Sequence, residues 1–213
     1  MEKLGTIWLA AGIGCFALAG VVTGILPVAH LAKIKYAKLA EIAPEPSLEF
    51  KQLADRYPDA FKRAYGEVSP ASYQAALRLG RDTYIAEACW HCHSQYVRPV
   101  SGEDQRFGKV SWAGEYMNEL NLPHLFGTRR VGPDLIRESG RHGNDWHVAH
   151  FFDPTIVVPT SVMPRYAWFY DGEEPNKRGF AIITYVQWLG SWATPEALAA
   201  RAAAAPAKKK ETR

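Results

Sequence analysis

Cys89-Trp90-His91-Cys92-His93 is the stretch of this sequence from which the fold and the chemistry can be worked out. The Cys-x-x-Cys-His spacing is typical of covalent attachment of a c-type haem. Residues i and i+3 lie on one side of a helical turn, so both thiols can reach the two vinyl groups of one porphyrin. The histidine that follows lies next to the iron and offers a ring nitrogen as an axial ligand. The stretch therefore predicts one haem c, bound through Cys89, Cys92 and His93.

Three other interpretations of the two cysteines compete with the haem. A thioredoxin-like redox pair requires a βαβ pattern around Cys-x-x-Cys, and no such pattern is visible. A structural zinc site requires two further Cys or His at close spacing, whereas the third cysteine of the chain, Cys15, lies far away in an apolar run. The third interpretation is a chance match. The haem is favoured because a second axial ligand can also be found.

That second ligand is predicted to be Met163. The chain has three methionines, and besides Met1 only Met117 and Met163 could offer a thioether to the iron. Met163 lies in Ser161-Val162-Met163-Pro164, a proline-bounded loop between two predicted helices, where a rigid backbone can direct the sulfur at the metal. A buried methionine is ordinarily core filling, but Met/His ligation is a known pattern of cytochromes c. Met117 remains the alternative.

Two further contacts with the haem site are predicted. Histidines that bind a metal nearly always have an acceptor for their other nitrogen, and the Pro133 carbonyl is the candidate for His93. Arg129 or Arg130 is expected to pair with a haem propionate, because a guanidinium matches the geometry of a carboxylate. The alternative is that both arginines are solvated surface residues.

The remaining histidines receive no part in haem binding. His147 and His150 lie three residues apart on a short predicted helix, a spacing that resembles a metal pair. Since no third ligand is evident, they are interpreted as structural or interface residues. His124 and His142 are assigned no role.

Residues 1–32 are predicted to form a transmembrane anchor. Between Leu4 and Ala32 the ionisable side chains are Cys15 and His30, and an apolar run of about 20 residues is long enough to cross a bilayer. A cleaved signal peptide is the alternative, but its apolar core would be shorter and only a weak cleavage site follows. The span is rich in glycine and alanine, which favours helix packing in lipid.

The rest of the chain divides into three predicted segments. Residues 33–68 are interpreted as a charged spacer that lifts the next domain off the bilayer. Residues 69–193 are the haem domain, with helices expected over 71–88, 146–152 and 176–192, the first and last crossing near Gly80. Residues 194–213 form an Ala/Lys-rich tail that is expected to be disordered.

Composition limits the possible classes of protein. A chain of 213 residues with 47% hydrophobic residues can form one domain plus extensions. Its net charge of +3 is small and comes largely from the C-terminal tail, so nucleic acid is excluded as a partner.

Several longer motifs carry a family resemblance. They are Gly80-Arg81-Asp82, Cys92-His93-Ser94-Gln95 followed by Arg98-Pro99, Arg130-Val131-Gly132-Pro133-Asp134-Leu135, Asp145-Trp146-His147, Asp153-Pro154 and Ser161-Val162-Met163-Pro164. With the single N-terminal span, these motifs resemble the membrane-anchored monohaem cytochrome c subunit (subunit II) of cbb3-type cytochrome c oxidases. The chain departs from the pattern of this family in two respects. Ala88 stands where glycine is usual, and the 41–67 stretch and the tail look like additions.

The resemblance implies a mainly α-helical protein: one N-terminal transmembrane helix and a class I cytochrome c-like domain. It implies thioether links at Cys89 and Cys92 and iron ligation by His93 and Met163. The chain would not be an enzyme on its own. It would receive electrons from a second c-type cytochrome subunit or a soluble cytochrome c and pass them to the haems b of a multispan haem–copper catalytic subunit in aerobic respiration.

Three alternative functions remain open. A nitric oxide reductase has a comparable monohaem subunit, and a membrane-tethered electron shuttle would need no oxidase. A peroxidase would need an open iron position, against which Met163 argues. The expected location is the bacterial cytoplasmic membrane with the haem domain on the periplasmic side. The lysines after the span favour the opposite orientation, but c-type haem is installed outside the cytoplasm.

Overall fold

The computed structural model describes residues 2–127 and 129–193, and this part of the chain is mainly α-helical, as predicted. The helices are α1 Glu2–Gly20, α2 Leu26–Leu31, α3 Leu39–Ile42, α4 Leu48–Arg56, α5 Pro58–Tyr65, α6 Pro70–Ala86, α7 Cys89–Cys92, α8 Glu103–Phe107, α9 Asn144–Phe152 and α10 Lys177–Trp188. Two short strands, β1 Tyr170–Asp171 and β2 Glu174–Pro175, pair antiparallel. The predicted tail, residues 194–213, lies outside the described residues.

The N-terminal apolar segment is a helical stretch of 28 residues, Leu4–Leu31, in which an 18-residue window reaches a mean hydropathy of 2.2 and every residue is exposed. At 1.5 Å per residue it is about 42 Å long, more than the ~30 Å of a bilayer's hydrocarbon core. A π-helical turn, Val21–Ile25, separates α1 from α2. This turn precedes Pro27, which has no N–H to donate to the preceding turn. Length and composition fit a membrane span whose exposed apolar side chains contact lipid or partner helices.

Helices α6 and α10 cross at Gly80, as predicted from the sequence. The side chain of Ser69 accepts a hydrogen bond from the backbone N–H of Ser72 at 3.1 Å, and Pro70 occupies the first turn of α6. A Cβ atom at Gly80 would lie 2.1 Å from the backbone oxygen of Ala181 and 2.6 Å from Cβ of Tyr185. The two backbones therefore approach so closely that only glycine fits at the crossing.

The interpretation of residues 33–68 as a solvated spacer is wrong. Leu39, Phe50 and Leu53 are fully buried in the main hydrophobic core, and Phe61 is 2% exposed. The ring of Phe61 packs against Phe180 of α10 with centroids 5.6 Å apart. The charged residues of α4 and α5 are exposed or half-buried, while most of their apolar residues face the core, so the segment is a layer of the domain.

The same segment is joined to the domain directly after the apolar N-terminal helix. The backbone N–H of Ala37 donates to the Met117 carbonyl at 2.8 Å, and Glu119 N–H donates to the Ala37 carbonyl at 3.0 Å. The connection between α2 and this bridge is therefore residues 32–36 only. Five residues reach at most about 17 Å, which keeps the domain close to the end of the anchor.

Substituting Gly80 by alanine should lower the free energy of unfolding by about 3 kcal/mol, because the new methyl group meets the backbone of α10. Denaturant unfolding of the full chain in detergent, followed by circular dichroism, measures this. Gly143→Ala is the control, since a Cβ there meets nothing within 4 Å and its φ of −79° suits alanine. Equal stability of the Gly80 and Gly143 variants would contradict the close crossing.

Phe50→Ala should destabilise the domain by about 3–5 kcal/mol, the cost of removing a fully buried aromatic ring. The matched control on the same helix is Leu48→Ala, because Leu48 is 64% exposed and should cost less than about 0.5 kcal/mol. Both variants are compared by thermal unfolding. If the two substitutions have the same small effect, the 39–65 segment is not part of the core.

Candidate haem site

The Cys-x-x-Cys-His motif lies on a helical turn of its own. Helix α6 ends at Ala86, earlier than predicted, and Ala88 has φ 55° and ψ 30°, in the left-handed region. A non-glycine residue pays roughly 1–2 kcal/mol for this conformation. This left-handed residue separates α6 from α7. Within α7, Cys89 is buried and Cys92 is exposed.

A cavity of about 710 Å³ opens beside this turn, within the size range of cofactor pockets. Its lining brings together all four residues predicted to bind the haem, and most of the other lining residues are apolar. The four are Cys89, Cys92, His93 and Met163. Two segments distant in sequence, the motif and the loop around Met163, therefore meet across one space.

The ring of His93 is fixed on two sides by the 132–133 turn. Its Nδ1 lies 2.9 Å from the Pro133 carbonyl oxygen, and a carbonyl can only accept, so Nδ1 carries the proton. The lone pair of Nε2 is thus free to bind a metal. A Cβ at Gly132 would lie 2.3 Å from Cε1 of His93, so the glycine backbone packs flat against the ring.

Electrostatics keep this imidazole neutral. Burial lowers the pKa of His93, and the Pro133 carbonyl and the carboxylates of Glu138 and Asp134 oppose that shift only in part. A neutral imidazole is the form that coordinates iron.

Met163 and Met117 differ in position. Met163 is half-buried against the hydrophobic core and lines the cavity, and its backbone N–H donates to Oγ of Ser161 at 3.2 Å. Met117 is not among the lining residues, and its carbonyl binds Ala37 instead. Of the two thioethers, the structure brings only that of Met163 to the space beside His93.

The two arginines predicted to contact a propionate lie elsewhere. Arg129 is exposed and Arg130 is almost buried, and neither lines the cavity. Nε of Arg130 donates to Oγ of Ser94 at 2.6 Å, and its guanidinium pairs with Glu103 and lies 3.5 Å from Asp134. The predicted propionate contact is therefore not supported, because α8 supplies a carboxylate partner that the sequence pattern did not reveal.

The cavity wall also contains polar residues to which sequence reasoning gave no part in the site. Among them are Glu138, His142, His147 and His150, which lie near Trp146; the ring of Trp146 stacks on those of His142 and His150 with centroids 3.8 and 4.3 Å apart. Burial lowers the pKa of His147 to about 3 and that of His150 to about 4, so both are neutral at pH 7. The i, i+3 spacing of His147 and His150 was the one indication in the sequence, and it did not show which other residues lie near them.

Among the described residues, Nε2 of His147 and Nδ1 of His150 are buried without a hydrogen-bond partner. A largely apolar cavity that has the free imidazole nitrogen of His93 on one side and the unpartnered Nδ1 of His150 in its wall fits a bulky, mainly apolar group that carries a metal and a polar edge. A haem has these properties.

The state of Cys89 is unlike that of a redox or zinc-binding cysteine. Burial raises the pKa of its thiol to about 12, whereas reactive and zinc-bound cysteines are thiolates with lowered pKa values. The third cysteine, Cys15, is exposed on α1 and belongs to the apolar span. Within the part of the chain that the structure describes, the one group of residues arranged to hold a metal ion includes neither Cys89 nor Cys92. Both alternatives from the sequence are therefore disfavoured.

Gly132→Ala should displace the His93 ring, since the added methyl group cannot share the space of Cε1. In the haem-loaded protein we expect weakened axial ligation, seen as a high-spin component in the electron paramagnetic resonance spectrum of the ferric form. Gly143→Ala, which meets no atom within 4 Å, should retain the wild-type spectrum. An unchanged spin state in the Gly132 variant would contradict the contact between glycine and imidazole.

The similarity of this chain to known proteins agrees with the geometry of the site. Curated protein sequences give no match to the chain. A family model described as "Cytochrome C oxidase, mono-heme subunit/FixO" matches residues 21–211, from within the apolar helix to beyond the Met163 loop. Because the match covers most of the chain, this protein belongs to the FixO family of mono-haem cytochrome c oxidase subunits, the monohaem subunit of cbb3-type oxidases that its motifs resemble.

Proposed function

We propose that this chain is the electron-transfer subunit of a haem–copper terminal oxidase and holds a single, covalently attached haem c. Cys89 and Cys92 would hold the haem through thioether bonds, and His93 and Met163 would bind its iron. The observation that carries the proposal is that these four side chains line one largely apolar cavity. When bound, the haem supplies one-electron exchange between ferrous and ferric iron.

The residues of the chain orient and enclose that group. The Pro133 carbonyl holds the proton on Nδ1 of His93, which directs Nε2 toward the cavity and raises the basicity of the ring. Gly132 prevents the ring from rotating by direct contact. The Met163 thioether would also bind the iron, so the bound haem would exchange electrons and would not bind a substrate. Met/His ligation in apolar surroundings favours the ferrous state and a raised potential.

The anchor sets the position of the domain relative to its partners. As a family member the chain is a subunit of a cytochrome c oxidase complex, and its apolar helix fits a membrane anchor. We propose a single pass through the bacterial cytoplasmic membrane, with the haem domain on the periplasmic side. The short 32–36 connection would restrict the domain to one region next to a multispan catalytic subunit. Electrons would come from a second c-type subunit or a soluble cytochrome c and leave for the haems b.

Met163→Ala in the assembled complex tests the axial assignment. The variant should keep covalent haem, show a lower reduction potential and bind carbon monoxide in the reduced state, because the iron loses its thioether. Met117→Ala should behave as wild type, since Met117 does not line the cavity. Potentiometry and carbon monoxide difference spectra of the detergent-solubilised complex give the readouts. Identical behaviour of the two variants would overturn the ligation by Met163.

Mass spectrometry of the purified wild-type chain and its co-purifying subunits tests the rest. We expect the mass of the intact chain, with its N-terminus retained, plus one haem, and a multispan haem–copper subunit that reduces oxygen. A chain mass without haem would overturn the cofactor. A nitric oxide-reducing partner, or purification of a redox-active chain without partners, would favour one of the alternative functions.

A further inference from the structure

Three potential metal ligands lie together in the wall of the cavity, separate from the predicted haem ligands. They are Glu138, from the loop that follows Leu135, His142 just before α9, and His147 within α9. Each offers one ligand atom, and the three atoms lie within 4.8 Å of one another. All three residues line the cavity.

The cluster has an unsatisfied member. His147 is 2% exposed, and its Nε2 is buried without a hydrogen-bond partner among the described residues. A buried polar atom without a partner is costly, so such atoms call for an explanation. An imidazole nitrogen without a hydrogen-bond partner can bind a metal ion through its lone pair.

The other two members supply charge and adaptability. Glu138 is 3% exposed; its carboxylate lies 2.5 Å from Nδ1 of His142 and 3.9 Å from the guanidinium of Arg141. A cation beside it would compensate this buried charge. The side chain of His142 is 39% exposed, so its ring can shift by a small distance along the Trp146 ring on which it stacks.

We propose that Glu138, His142 and His147 form a binding site for a divalent metal ion, with Zn²⁺ as its preferred occupant, in the wall of the haem cavity. Two imidazoles and one carboxylate are a known zinc donor set with an open fourth position. Ligand atoms about 2.0–2.2 Å from a tetrahedral zinc ion lie about 3.5 Å apart. The three side chains therefore need shifts on the order of 1 Å, and His142 must move away from direct contact with Glu138.

The alternative interpretation of this cluster is that it forms hydrogen bonds to a haem propionate. The buried Glu138 carboxylate disfavours it, because a propionate there would bring a second negative charge close to the first. A zinc ion would have the opposite effect and attract negative charge. It would also oppose the extra positive charge of ferric iron, so zinc loading should raise the reduction potential of the haem.

The test is isothermal titration of the full, tag-free, haem-loaded chain in detergent with zinc chloride, with metal analysis after gel filtration. We expect one zinc ion per chain. Glu138→Gln and His142→Gln should each weaken binding at least about tenfold, and His124→Gln, which alters a histidine outside the cluster, should not. Thermal unfolding and the haem spectrum of each variant verify that it is folded.

The reduction potential provides a second, independent readout. Zinc should shift it upward in the wild type and in His124→Gln, and not in His142→Gln. Absence of stoichiometric zinc, or equal binding by the cluster and control variants, would overturn the site in favour of a hydrogen-bonded cluster only. Failure of the zinc site and failure of the proposed function are distinguishable, since a failed haem assignment would appear separately as a chain mass without haem.

Discussion

The clamp on the His93 imidazole is the constraint on which the rest of the site depends. One face of the ring packs against the backbone of Gly132, and its Nδ1 binds the Pro133 carbonyl. The turn that does this is itself tied to the motif, because Gly132 N–H donates to the Cys92 carbonyl at 2.9 Å. The His93 side chain can therefore rotate little about its bonds, and its Nε2 is held in one orientation. Ligand direction is a means by which a protein tunes an iron centre.

A buried charged network holds this clamp in register with the motif. Asp134 accepts hydrogen bonds from Oγ of Ser94 at 2.6 Å and from the Tyr96 backbone N–H at 2.7 Å. Arg130 binds Ser94 as well and pairs with Glu103 of α8. Buried ion pairs are weak evidence for stability because desolvation opposes them. Their directional hydrogen bonds join the motif, the 130–135 turn and α8, so we ascribe to them the geometry of the segment after His93.

Helices α4 and α5 connect the membrane anchor to the interior of the domain. Phe50 and Phe61 pack edge to face at 5.0 Å, and Phe61 also contacts Phe180 of α10. Since α10 crosses α6, which leads to the motif, a continuous packed layer extends from the start of the domain to the haem cavity. A long flexible tether would let the haem domain sample many positions. Burial of this segment instead restricts the position of the domain relative to the apolar helix.

Residue type and spacing within one segment were sufficient to predict some features of this protein and not others. The motif, the apolar span, the cap of α6 by Ser69-Pro70 and the glycine at the helix crossing were all predictable, because each depends on residue type and spacing within one segment. The charged, proline-containing 39–65 segment was misread because its prolines and charges resemble those of a spacer. Its apolar residues can be recognised as core residues only once α10 is seen to pack over them.

Some contacts depend on which segments fold against each other, and a single sequence does not give the distances between segments. Examples are the partners of Arg130 and the grouping of Glu138, His142 and His147. The sequence by itself therefore determined the Cys-x-x-Cys-His motif, the apolar N-terminal span and the helical class. Only the tertiary structure decided which methionine shares the cavity with His93, which arginine is buried in a charged network and which histidines face the cavity, since these are contacts between segments remote along the chain.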